Sequence, residues 1–143
     1  MVYWDRTELG EYQMKQESKL KSQFTEELKR QLPLFIMQYF LSSGSPDRSI
    51  TGAGYTTHWE FKHGTPDFES KGDQELMCAR LAIQGHCRYV VWQENAHGFG
   101  QRTMILRPLQ VIERVGWNFT PEAWCVGFDH KWLVEQVRKA HRL

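Results

Sequence analysis

The chain has 143 residues, 41% of them hydrophobic and 24% charged, the composition of one ordinary globular domain. Lys and Arg total 18 against 17 for Asp and Glu, so the formal net charge of +1 selects no partner. No apolar run approaches the length of a membrane span, which excludes a spanning helix.

Acidic groups prevail between residues 45 and 85 and basic groups from 86 onward. That distribution suits a central cation and a flanking polyanion, or a plain surface mixture. The opening Met1-Val2-Tyr3-Trp4-Asp5 lacks the basic start and apolar core of a secretory signal. Cys78, Cys87 and Cys125 are odd in number, widely spaced and without a CxxC pair. They read as buried filler in a reducing, cytoplasmic setting, not as a disulfide scaffold. His58 and His63 find no Cys or His pair to complete a zinc pattern.

Residues 5–31 read as a helix. Asp5-Arg6-Thr7-Glu8 has the form of a capping box, and Leu20, Phe24, Leu28 and Leu32 recur every fourth residue as one apolar stripe. Pro33 kinks or ends it, and the run 34–41 is read as its continuation, although a buried strand also fits. Ser42 to Pro46 is a turn, 48–51 a short strand, Gly52-Ala53-Gly54 a hairpin connection, and 55–62 a strand rich in β-branched and aromatic residues. A helix capped by Asp73 runs to about residue 84, with Met77, Cys78, Leu81 and Ala82 inward and Gly85 as its stop. Residues 87–92 form a central strand, reached by a crossover. A turn around Gly98-Phe99-Gly100 leads to an edge strand at 103–106, then come a short helix at 109–115, an irregular aromatic stretch at 116–127, and a helix from Asp129 to about residue 140. The result is a mixed α/β domain with a small sheet covered by helices: an N-terminal helix (5–41), a motif core (44–107) and a C-terminal extension (108–143).

The chemistry concentrates in Pro46-Asp47 and Glu60-Phe61-Lys62. On a strand with period two, Glu60 and Lys62 share one face with Thr56 and His58, while Trp59 and Phe61 pack on the other. A bent sheet can bring Asp47 to Glu60. Two converging carboxylates suit a hard cation such as Mg²⁺ or Mn²⁺, which polarises a phosphodiester and activates water. Lys62 is then placed to stabilise charge growing on phosphoryl oxygens. Taken singly, an ExK pair is a common surface ion pair and a Pro-Asp step a common turn. The order of the pieces, followed by a helix and an apolar strand, is what distinguishes them.

Gly44-Ser45-Pro46-Asp47 and Glu60-Phe61-Lys62, in this order, resemble the PD-(D/E)xK nuclease superfamily, most closely its small VRR-NUC-type, Holliday-junction-resolvase-like members. Those nucleases often carry a glutamine at the start of the helix after ExK, matched by Gln74, and a glutamate on the first helix, for which Glu27 is the better match. The resemblance spans residues 20–107. It implies a restriction-endonuclease-like core of order α-β-β-β-α-β and a divalent-metal-dependent endonuclease acting on DNA, with branched DNA among its substrates. By that pattern Asp47 and Glu60, with Glu27, bind the metal, and Lys62 is the catalytic lysine with Gln74 beside it. Arg48 departs from it, standing where an apolar residue more often starts the next strand; so do the short Gly52-Ala53-Gly54 connection and a second Pro66-Asp67.

Gln74 shares the stripe of Met77, Cys78 and Leu81 and points at the sheet, or it is a helix-start amide reaching solvent. Glu27 borders the apolar stripe and reaches either the metal or an outer cation. His58 is a phosphate contact or a peripheral strand histidine; Lys71 and Arg88 hold a substrate backbone or are solvated charges. The aromatic C-terminal third, with Trp92, Trp117, Phe119, Trp124, Phe128 and Trp132, fills a core or dimer interface or stacks on splayed bases. Resolvases pair their sites through a two-fold dimer, so a homodimer is a further expectation. The competing function is a non-catalytic DNA-binding or enzyme-inhibiting protein on the same fold.

Overall fold

The computed structural model describes residues 6–39, 45–64, 68–96, 100–114 and 120–143. The elements run α1 (Arg6–Gln31), β1 (Ile36–Gln38), β2 (Arg48–Gly52), β3 (Tyr55–Gly64), α2 (Gly72–Gln84), β4 (His86–Ala96), β5 (Gly100–Leu106), α3 (Pro108–Ile112), β6 (Ala123–Val126) and α4 (His130–Ala140). The strands form one mixed sheet in chain order. Neighbours are antiparallel except β3 and β4, which run parallel because α2 carries the chain back across the sheet.

Helices cover both faces. The stripe Leu20, Phe24 and Leu28 of α1 joins Leu133, Val134 and Val137 of α4 on one face, over Ile50, Trp59, Phe61, Val90 and Ile105. The other face packs Cys87, Tyr89, Val91, Met104 and Leu106 under Cys78 of α2 and Val111 of α3. β4 is apolar on both sides, as a central strand of a covered sheet must be. Trp59 and Phe61 of β3 enter the first core. Glu60 faces the α2 side.

The β2–β3 hairpin sets the register. Ala53 and Gly54 both lie at positive φ, the two-residue turn whose twist suits paired strands. It pairs Gly52 with Tyr55 and Arg48 with Trp59, so the next residue outward, Asp47, falls opposite Glu60. Gly52 has no room for a side chain, since an added Cβ would lie 2.6 Å from the Phe35 ring.

Five expectations are corrected. The run after Pro33 is not helical: α1 ends at Gln31, Leu34 is exposed, and Ile36–Gln38 pairs with β2 as a short edge strand. Proline ends the helical hydrogen-bonding pattern, and the chain turns back. α2 is capped at Lys71, not Asp73, with no side-chain cap bond. Met77 of α2 is exposed. β5 is not an edge, because β6 pairs along it, and β6 is a strand where irregular chain was expected. The expected features at Asp5, 42–44, Pro66-Asp67 and Gly98-Phe99, with Trp117 and Phe119, lie outside the described residues. No helix among the described residues is long and apolar enough to cross a membrane.

Candidate active site

Asp47 and Glu60 meet because the hairpin register makes them cross-strand neighbours. Asp47 Oδ2 accepts the Phe61 N–H at 2.8 Å, which fixes its carboxylate at the edge of β3. Its Oδ1 lies 3.3 Å from Lys21 Nζ of α1. Glu60 is 1% exposed, and neither of its oxygens accepts a hydrogen bond from an N–H or O–H group among the described residues. The Asp47 carboxylate, its cross-strand neighbour, disfavours charge on Glu60 and favours the protonated acid there. Burial, then Asp47, pushes the Glu60 carboxyl up to about 10. Burial also pushes Asp47 up, but the Glu60 proton, the Phe61 N–H and Lys21 outweigh it and leave that carboxyl below its ordinary value.

Lys62 leaves β3 two residues on, and its Nζ donates to Gln74 Oε1 at 3.0 Å. Gln74 sits in the first turn of α2, so its helix face turns the amide to the sheet and holds one of the three ammonium donors. Asp47, Glu60, Lys62 and Gln74 line a cleft of about 420 Å³, with Lys71 also on its wall.

The structure adds Glu17, which the sequence reading did not single out. It lies in the same cleft, and its Oε1 accepts the His63 N–H at 3.1 Å. Burial raises its pKa above the ordinary value against the lowering pull of the His63 N–H and Lys62. The spacing carries half of the signal: Glu17 precedes Leu20 by three residues and so lies on the buried stripe, but the stripe does not say which of its glutamates meets the end of the sheet. His63 also turns out to be buried, 3.5 Å from Glu94, whose carboxylate accepts the Tyr12 hydroxyl at 2.9 Å.

Three expected residues are not brought to this cleft. Glu27 lies ten residues beyond Glu17, about 15 Å along the helix at 1.5 Å per residue. There its carboxylate is held by Arg30 and by Gln31 at 2.7 Å. Those hydrogen bonds, Arg30 first, lower its pKa to about 2. Arg88 is ion-paired with Glu122, and its Nη1 donates to the Cys87 carbonyl. His58 is hydrogen-bonded to Ser49 at 2.7 Å, and burial lowers its pKa.

Among the described residues, no group of three or more His, Cys, Asp or Glu gathers as a cage for a metal ion. Asp47 and Glu60 form a pair, and Glu17 shares the cleft without completing a triad. A buried carboxyl with no donor among the described residues, beside a second carboxylate, nonetheless fits a divalent cation, which would replace the Glu60 proton. Mg²⁺ commonly takes one or two carboxylates and completes its shell with water and substrate phosphate. No protein-family model matches the chain, and no curated protein or solved structure matches it significantly.

Proposed function

We propose that the chain is a divalent-metal-dependent endonuclease that hydrolyses DNA phosphodiester bonds, with branched DNA among its substrates. We further propose that it has a restriction-endonuclease-like core of the PD-(D/E)xK superfamily, nearest the VRR-NUC-type resolvase-like members. One observation carries the reading: the register of β2 and β3 sets Asp47 against a buried Glu60 that has no donor among the described residues, with Lys62 on the next turn of the pleat. The order of α1, three strands, α2 and β4 supports it as well.

Asp47 and Glu60 would hold Mg²⁺ or Mn²⁺. When bound, the cation supplies Lewis-acid polarisation of the scissile phosphate and a more acidic water. The protein's own groups do the rest. Phe61 N–H fixes Asp47. Gln74 aims Lys62, whose ammonium stabilises the charge that grows on the phosphoryl oxygens. Glu17, held by the His63 N–H and raised by burial, is the group placed to take a proton from the attacking water.

Plasmid and branched oligonucleotides, incubated with Mg²⁺, Mn²⁺ or EDTA, test this reading. Cleavage is expected with either cation, absent in EDTA, and lost in Asp47→Asn and Lys62→Ala. Metal-independent cleavage, or full activity in those variants, would overturn it.

A second reading, a non-catalytic DNA-binding or enzyme-inhibiting protein on the same framework, draws support from the lack of a three-residue metal cage among the described residues. The ion pair between Lys21 and Asp47, which already satisfies one carboxylate, also favours it. Calorimetric titration separates the two. The nuclease reading expects Mn²⁺ binding in the wild type that Asp47→Asn abolishes. The interaction reading expects none in either protein.

A further inference from the structure

A second groove, of about 620 Å³, adjoins the cleft through the Lys21–Asp47 ion pair. One wall is a single face of α1, where Ser18, Lys21, Ser22, Thr25 and Lys29 recur at helical spacing. From Ser18 to Lys29 that wall runs about 16 Å at 1.5 Å per residue. The facing wall carries Tyr39 and Arg48. Arg48 is anchored there: Nη1 donates to the Asp47 carbonyl at 2.8 Å and Nε to Thr25 Oγ1 at 3.5 Å. Its guanidinium lies over one face of the Tyr39 ring, 4.8 Å from the centroid, while Tyr39 remains 65% exposed.

Each wall has its own chemistry. Ammonium and hydroxyl groups in a row along a helix match the repeating anionic oxygens of a phosphate backbone. An exposed tyrosine backed by an arginine is a stacking platform for an unpaired base. Glu26 also lines the groove, so its three cations face one carboxylate. Arg48, the departure from the usual apolar start of this strand, takes a role here that an apolar residue could not fill.

We propose that this groove binds an unpaired DNA strand and delivers it to the carboxylate cleft, its phosphates on Lys21, Ser22 and Lys29 and one base on Tyr39. Lys21 belongs to both sites and passes its charge from Asp47 to the backbone as the strand enters. The delivery rests on the nuclease reading; the binding does not, because it needs no metal.

The test is fluorescence anisotropy of the full chain in EDTA, with a labelled oligothymidylate and a labelled duplex of equal length. Wild type is expected to prefer the single strand. Tyr39→Ala is expected to weaken single-strand binding about tenfold and leave the duplex unchanged, with Tyr39→Phe retaining it. Lys29→Ala is expected to reduce the slope of log K against log salt by about 0.7 on the single strand. Equal single-strand affinity in Tyr39→Ala and wild type, or no preference of wild type for the single strand, overturns the proposal. The wild type, assayed for both binding and cleavage, keeps the two readings apart. Tyr39-dependent binding in a wild type that cleaves no DNA with Mg²⁺ or Mn²⁺ sustains the groove and removes the nuclease; metal-dependent cleavage by the wild type that Tyr39→Ala leaves unaffected, with no Tyr39-dependent binding, does the reverse.

Discussion

Glu60 is buried without a donor among the described residues, and its protonation ties stability to pH. Its folded pKa, about 10, lies far above the ordinary 4.5. The stabilisation from the bound proton is therefore complete below the ordinary value and is lost as pH rises towards the folded one. Asp47 is shifted the other way, so its contribution is present above the ordinary 3.8 and is lost only as pH falls below it. Glu60→Gln supplies a permanent N–H donor to Asp47. Denaturant unfolding of the metal-free protein should show the variant more stable by about 1–3 kcal/mol near pH 9, with the difference shrinking towards pH 5. Lys62→Ala is expected to lower the cleavage rate about 10²–10⁴-fold. Gln74→Ala, which frees the ammonium without removing it, should lower kcat about tenfold with KM unchanged, as single-turnover and steady-state rates would show. Asp47, Glu60 and Lys62 were legible because period-two geometry places one face of β3 and the order of the motif supplies the partner. Glu17 was not. Choosing between glutamates on one long helix depends on where along the axis the sheet ends, which the spacing of Leu20, Phe24 and Leu28 leaves undetermined.

The hairpin from β2 to β3 is the element that converts a gap of chain into a site. Its turn places Ala53 at φ +53, a conformation that suits asparagine better than alanine. Ala53→Asn should raise the unfolding free energy by about 0.5–1 kcal/mol in chemical denaturation without altering the register. The end of α4 braces the same hairpin. His141 bridges the Gly52 carbonyl at 2.9 Å and the Thr57 hydroxyl at 2.8 Å, and Trp59 Nε1 donates to that hydroxyl at 2.8 Å. His141 is 1% exposed, so His141→Ala leaves buried polar groups unpaired. A loss of about 1–3 kcal/mol is expected, read as a lower midpoint in urea. The long periodic pieces, α1, β3 and β4, were readable from their repeats. β1 and β6 were not, because a three-residue and a four-residue strand offer too few positions for alternation to show, and each is specified by its longer neighbour.

Across the whole molecule, two cores on opposite faces of one sheet hold the parallel β3–β4 pair at the centre, and the cleft opens beside it. A cation that binds only the folded chain stabilises it by mass action. At a hundredfold excess over its Kd, Mn²⁺ should add about 2.7 kcal/mol to the unfolding free energy of wild type and nothing to Asp47→Asn, a difference visible as a shift in Tm. The mixed sheet with helices on both faces was legible from the alternation of helical and strand patterns. The cover of β5 by β6 was not, because an aromatic stretch reads equally as core filler or as surface.

On the nuclease reading, the hydrogen ion that Glu60 keeps beside Asp47 would give cation uptake a thermal signature. A cation filling that position would expel the ion into solvent, where the buffer captures it and contributes its own heat. Injection enthalpies collected in buffers of differing ionisation heat should therefore fall on a sloped line, and the slope counts the hydrogen ions leaving for each metal that enters.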